Sequence, residues 1–169
     1  KPEKRPVQFP LGLLGARARV EYQPLGVVGV IAPWNFPLQL CLPPAIGALA
    51  AGNRVMLKNS EYTENTPNLP AELGPRYFDV SEVAFVTGGP EVGQACSELP
   101  FNHLIFTGAT SVGHHIMRAA AKNLVPITLE LGGKSPAIIG RGADKAKAAQ
   151  RITMGKMLNA GQICIAPDY

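Results

Sequence analysis

The sequence is short of cysteine, of charge and of long apolar runs, and each shortage argues against a class of function. Cysteines number three in 169 residues, Cys41, Cys96 and Cys164. An odd count without a CxxC pair argues against a disulfide framework or a cysteine zinc site, and for a reducing compartment, the cytoplasm. The three histidines, His103, His114 and His115, form no metal-ligand spacing, so no metal site is assigned. Charged residues make up 17% and the net charge is +4. The only dense basic run is Lys1–Arg5, a terminal arm. Dispersed charge of this kind is solvated surface, and no nucleic-acid partner is expected. No apolar run reaches the ~18 residues that a membrane span needs. Leu38–Ala51 comes nearest, and Pro43 and Pro44 interrupt it. No signal-peptide pattern is read at the start.

What the chain has instead is glycine (18) and proline (16), spread over a background that is 46% hydrophobic. Such a chain turns often, and its length suits one domain with one sizeable core. Residues 1–10 hold three prolines and read as an extended arm. Arg17–Tyr22 alternates polar and apolar residues, as a strand with one buried face does. Val27–Ala32, Arg54–Lys58, Val83–Thr87, His103–Thr107 and Pro126–Leu131 are short apolar runs, the mark of strands buried on both faces. Lys134–Ile139 reads as a short further strand. Helices are expected over Leu38–Ala51, Val112–Asn123 and Ala143–Leu158. Glu61–Phe78 should be a crossover helix by position, but Pro67, Pro70 and Gly74-Pro75 predict that it is shortened or kinked. Gly88-Gly89-Pro90 reads as a turn. The alternation predicts an α/β fold, a parallel sheet with helices on both faces. In such sheets ligands bind at the carboxyl ends of the strands. The informative loops therefore follow Ala32, Leu57, Thr107 and Leu131.

Four features there carry chemistry, each with a duller alternative. Gly108–Gly113 lies between a strand and a helix, where backbone N–H groups and the helix N-terminus suit a phosphate; a tight turn would look the same. Lys58 and Glu61 follow a buried strand, where a carboxylate could accept from ribose hydroxyls; they could equally be solvated loop charges. Glu130 sits within ITLELGG, where apolar surroundings would raise its pKa into the range of a general base. Strict alternation could instead turn it to solvent. Cys164 follows a helix and a glycine turn, as a nucleophilic thiolate could; a buried structural cysteine is the alternative.

Together these features resemble the aldehyde dehydrogenase superfamily. The strings that carry the resemblance are PWNFP (33–37), LKNSE (57–61), FTGATSVG (106–113), LELGGKSP (129–136) and NAGQICIAPDY (159–169). The resemblance implies a Rossmann-type dinucleotide-binding domain, and NAD as cofactor. It implies that Cys164 attacks an aldehyde to form a thiohemiacetal, with Asn35 and the Cys164 N–H as oxyanion hole. Hydride then passes to the nicotinamide, and Glu130 activates the water that hydrolyses the thioester. It assigns Lys58 and Glu61 to the ribose, Gly108 and Gly113 to the pyrophosphate loop, and Trp34 and Leu131 to the cofactor cleft. A carboxylate at Glu61 would repel a 2′-phosphate, which favours NAD over NADP.

VTGGPEVG (86–93), NLVPITLELGGKSP (123–136) and CIAPDY (164–169) are similar to a subgroup that includes coniferyl aldehyde dehydrogenases, implying aromatic or hydrophobic aldehydes. Ala109 stands where the family often has Ser. Residues 1–29 resemble an arm and hairpin used in subunit contacts, implying a homo-oligomer. Residues 30–131 correspond to the dinucleotide-binding domain and 132–169 to the start of the catalytic domain. Family members continue well past the nucleophile, whereas five residues follow Cys164 here. A partial chain is implied, and with it a second reading, a catalytically incomplete dinucleotide-binding or oligomerisation fragment. A third, an acyl-CoA-forming relative, does not need the base at Glu130.

Overall fold

The computed structural model describes residues 2–63 and 65–169. Strands β1 (Glu3–Arg5) and β2 (Ala18–Val20) pair antiparallel as a separate ribbon. Both are almost wholly exposed, so the buried face expected for Arg17–Tyr22 is absent among the described residues. The loop between them exposes Phe9, Leu11, Leu13 and Leu14.

The main sheet is β3 (Val27–Ile31), β4 (Arg54–Lys58), β5 (Val83–Val86), β6 (His103–Thr107) and β7 (Ile127–Glu130), all parallel, in the order β5-β4-β3-β6-β7. The chain winds outward from β3 through β4 to β5, then returns to the other side of β3 for β6 and β7. The reversal between β3 and β6 is a topological switch point, where loops on the two sides part and leave a crevice at the carboxyl ends.

The near-continuous apolar sequences of β3 and β4 are explained by cover on both faces. On one, Val28, Val30, Val55 and Leu57 pack under α1 (Leu42–Ala50) through Ala45, Ala48 and Leu49. On the other, Ile31, Leu104 and Phe106 pack under α3 (Pro90–Ser97) and α4 (Thr110–Ala121), through Cys96, Ile116 and Ala120. Leu104, Val30 and Cys41 are the largest fully enclosed side chains among the described residues.

Three expectations change. Helix α3 occupies 90–97, where only a turn was read: Pro90 is its first residue rather than a breaker, since the first helical N–H has no intrahelical acceptor to lose. Lys134–Ile139 forms no strand. Its one ladder contact is an isolated parallel bridge, Ser135 to Pro167. The helix expected from Leu38 starts at Leu42, with Pro43 and Pro44 in its first turn. The segment after β4 is shortened as expected, its helix ending before Gly74-Pro75, although Pro67 and Pro70 both fall within it. A 3₁₀ turn (Glu61–Thr63) precedes α2 (Asn65–Leu73), and a second (Gly74–Arg76) follows it. Pro70 lies inside α2, past its middle, where its ring removes one intrahelical hydrogen bond. The last helix, α5 (Lys145–Met157), is capped by Asp144, whose carboxylate accepts from Ala146 N and Lys147 N at 3.0 and 3.1 Å. It has no buried residue.

Candidate active site

The crevice at the switch point is a cleft of about 640 Å³. Its floor is the carboxyl end of the sheet, with Ile31 and Phe106 as apolar base and Trp34 on the loop after β3. Helices α3 and α4 form one wall, contributing Gly93, Val112 and Ile116. Of the cofactor residues expected from sequence, Trp34, Lys58, Glu61 and Gly108 line this cleft.

Lys58 is nearly enclosed, and its ammonium lies 3.2 Å from the Glu61 carboxylate. Taking an ammonium from water is costly unless a counter-charge accompanies it, and Glu61 supplies one. Burial pushes the Glu61 carboxyl up, but its own backbone N–H and the hydrogen bond and charge of Lys58 outweigh that. The group ends below the usual glutamate range. The two thus form a fixed ion pair at the cleft with its ammonium nearly enclosed, not the loosely solvated charges that the sequence also allowed.

Gly108 turns the chain from β6 into α4, and its N–H donates to the Glu130 carbonyl at 3.0 Å. A Cβ at Gly108 would stand 2.5 Å from the Phe106 ring, so only glycine lets the loop lie this close to the strand end. The first-turn N–H groups of α4, at Thr110, Ser111 and Val112, have no acceptor within the helix and suit an anionic oxygen. Gly113 does not line the cleft. It is buried in α4, and a Cβ there would meet Leu131 at 3.0 Å, so it sets how closely α4 approaches the segment after β7. Leu131 packs behind the wall with the core under α4.

The loop after β3, whose Trp34 lines the cleft, meets the segment that carries Cys164. Asn35 Nδ2 donates to the Gln162 carbonyl at 2.8 Å, and Asn159 Nδ2 donates to the Asn35 carbonyl at 3.0 Å. These bonds tie the loop after β3 to the segment carrying Cys164. The same segment crosses Gly133 so closely that a Cβ there would collide with the Cys164 carbonyl oxygen. Asp168 fastens its end, bridging Lys134 at 3.2 Å and Lys156 at 3.4 Å. Lys134, by hydrogen bond and charge, holds the Asp168 carboxyl below the usual aspartate range, and Lys156 adds to this. Backbone bonds from Asp168 N to Ser135 O (2.8 Å) and Ala137 N to Tyr169 O (2.7 Å) complete the join.

Cys164 is exposed, unlike Cys41 and Cys96. Burial pushes the Cys41 thiol up to about 11, and burial also raises Cys96 despite the charge of Lys58. Two thiols are thus held in the unreactive form, and the third is open to a reactant. Glu130 is exposed at the end of β7, on the strand face opposite Leu129, so within these residues it takes the solvent-facing option. Sequence reasoning missed the wall residues Gly93, Gln94 and Ser97 because it missed α3. The signal was a proline followed by an acidic residue, Pro90-Glu91, the start of a helix.

The Aldehyde dehydrogenase family profile matches residues 4–168. A protein of Caulobacter vibrioides named "Probable coniferyl aldehyde dehydrogenase" is 61% identical over all of this chain and 35% of its own length. Among solved structures, a substrate-bound Staphylococcus aureus AldH superposes with a TM-score of 0.92 at 43% identity, covering 100% of this chain and 36% of that one. A Mycobacterium tuberculosis aldehyde dehydrogenase complexed with NAD+ superposes at 0.86 with 37% identity, covering 98% and 34%. The chain therefore spans about a third of the relatives it matches. With a doubly wound sheet, a cleft at its switch point and an exposed cysteine tied to the loop after β3, this chain belongs to the aldehyde dehydrogenase family.

Proposed function

We propose that this chain is the dinucleotide-binding part and nucleophile segment of an NAD-dependent aldehyde dehydrogenase acting on aromatic or hydrophobic aldehydes, of the coniferyl aldehyde type. The observation that carries this reading is the junction of Asn35, next to the cleft residue Trp34, with the segment carrying Cys164. The cleft fits a dinucleotide in its donor set: first-turn N–H groups of α4 for phosphate, the Lys58–Glu61 pair for ribose hydroxyls, and apolar surface from Ile31 and Phe106. Glu61 stays anionic and already neutralises Lys58, which disfavours an added 2′-phosphate and supports NAD over NADP.

In this reading the Cys164 thiolate adds to the aldehyde carbonyl. One Asn35 Nδ2 proton is engaged by Gln162, and the other is free to meet the developing alkoxide beside the Cys164 N–H. The dinucleotide, when bound, supplies the acceptor for the departing hydride. Glu130 then takes a proton from the water that opens the thioester on Cys164. The domain division at 30–131 and 132–169 follows the same reading. So does a homo-oligomer built through the exposed ribbon of β1 and β2, whose apolar loop is uncovered here. The three free cysteines support a reducing compartment, the cytoplasm. No helix among the described residues is long and apolar enough to cross a membrane.

The test is NADH formation at 340 nm by the complete polypeptide with NAD and an aromatic aldehyde, beside a Cys164→Ser control. NADH formation that the substitution abolishes is the expected result. Turnover that survives Cys164→Ser overturns the assignment. The second reading, an incomplete dinucleotide-binding fragment, is favoured for residues 1–169 alone by the lack of any buried residue in α5.

A further inference from the structure

The segment between α5 and Cys164 has an unusual path. Asn159 (φ 49°, ψ 36°), Ala160 (φ 55°, ψ 31°) and Gly161 (φ 79°) are left-handed in succession. Glycine adopts this conformation freely, and asparagine adopts it more readily than most residues, but alanine does so only under constraint. A left-handed run that includes alanine persists where surrounding contacts over-determine it.

Those contacts form a closed ring of three hydrogen bonds. The Asn159 side chain donates to the Asn35 carbonyl at 3.0 Å. The Asn35 side chain donates to the Gln162 carbonyl at 2.8 Å. The Gln162 N–H donates back to the Asn159 carbonyl at 3.0 Å. Each bond orients a group that makes or receives the next. The ring joins two segments more than 120 residues apart, through |i−j| of 124 and 127. On one side the loop is stiffened by Pro33 and Pro37, and on the other Cys164 follows two residues after Gln162.

From this ring we infer that Asn159 is a positioning residue, which fixes the Asn35 amide relative to Cys164 by holding the Asn35 carbonyl while Gln162 holds its side chain. The inference rests on the reading of Asn35 as an oxyanion donor. It adds a residue outside the reacting set, and a physical reason for an asparagine there: it combines an amide donor with tolerance of the left-handed turn. Loss of the Asn159 bond frees the Asn35 peptide to rotate. The donor then meets the alkoxide late or off line, while Cys164 keeps its exposure and nucleophilicity.

Two cofactor-free reactions of Cys164 separate these effects. With p-nitrophenyl acetate, Sγ adds to the acetyl carbonyl, the carbonyl electron pair moves to oxygen, and the tetrahedral alkoxide expels p-nitrophenolate to leave an acetyl thioester. That path needs the oxyanion donors. With iodoacetamide, Sγ displaces iodide at an sp³ carbon, and no oxyanion forms. Both are measured on the complete polypeptide, as wild type, Asn159→Gly and Asn159→Asp. The glycine variant keeps the left-handed backbone without the donor, and the aspartate variant keeps the shape but turns a donor into an acceptor.

The expected result is a fall in the p-nitrophenolate burst rate on the order of tenfold to a hundredfold in both variants. The iodoacetamide rate should stay within about twofold, because that path uses no oxyanion donor. In an Asn35→Ala background, Asn159→Gly should cost little more, because residues that act as one unit are non-additive. Acylation and alkylation falling together, or acylation unchanged, overturns the inference, since the first marks a displaced cysteine segment and the second an idle bond. No acetylation of Cys164 in the wild type is a different failure, which removes the nucleophile reading itself.

Discussion

At the scale of single residues, charge pairing decides what the cleft presents. Lys58 has a side chain only 4% exposed, and among the described residues its partner charge is Glu61. The Glu61 carboxyl lies below its usual range in the folded state, so its contribution to stability is fully present above the ordinary glutamate value of about 4.3. It is lost as pH falls through the lower, folded value. Glu61→Gln removes the counter-charge and leaves an ammonium poorly compensated. The melting temperature of the variant should therefore fall a few degrees below wild type near neutral pH. The gap should close on acidification, as wild type loses the same charge. Thermal melts over a pH series check this, and a gap that widens in acid refutes it. Sequence reasoning could name both residues but not choose between a cofactor contact and solvated charges, because burial of Lys58 depends on β3 and α3 flanking β4. Cys164 was ambiguous for a like reason: exposure is a tertiary property. The reading of Glu130 remained divided between faces until β7 was paired with β6 at Thr107 and Glu130.

At the scale of elements, the prolines and glycines carried most of the information, and the misreadings came from them too. Gly74-Pro75 ends α2 while Pro70 lies within it, and Pro90 opens α3, so the difference lies in helix position rather than in the residue. The expected strand at 134–139 failed because its partner is 165–169, a segment that no periodicity connects to it. The central strands β3 and β4 were legible because burial on both faces writes continuous apolar runs, whereas the edge strand β7 exposes alternate residues. Gly133 illustrates a glycine whose reason is visible only in three dimensions. The obstacle to a side chain there is the Cys164 backbone, which yields less readily than a flexible side chain. If Cys164 is the nucleophile as proposed, Gly133→Ala should push the Cys164 segment off the LELGGKSP turn and lower kcat on the order of 100-fold. Because the cleft wall is formed by α3 and α4, affinity for NAD should be unchanged. Steady-state kinetics with calorimetry of NAD binding separate the two, and an equal loss of both would place Gly133 in the cofactor site instead.

At the scale of the whole molecule, the chain divides into a part whose core is complete and a part whose partners lie elsewhere. The sheet is filled on both faces within these residues, with Val30 and Leu104 almost fully enclosed. By contrast α5 buries nothing, and Ile138, Met154, Ile165 and Tyr169 are all more than three-quarters exposed. Apolar surface on that scale marks an interface rather than a finished exterior. The cleft and its donors belong to the first part, and the Cys164 segment to the second. Residues 1–169 alone should accordingly bind NAD, because α3, α4, Lys58 and Glu61 need nothing further to form the cleft. Under the mechanism proposed above they should not oxidise an aldehyde, because hydride transfer needs a site closed to water and Cys164 is exposed within these residues. Calorimetry with NAD and the 340 nm assay, run on residues 1–169 and on the complete polypeptide side by side, measure the two halves of this claim. Turnover by residues 1–169 within about tenfold of the complete polypeptide would show that the cysteine segment closes its own site. Absence of NAD binding would show instead that the sheet, complete as its core is, requires the α5 side to hold its cleft open.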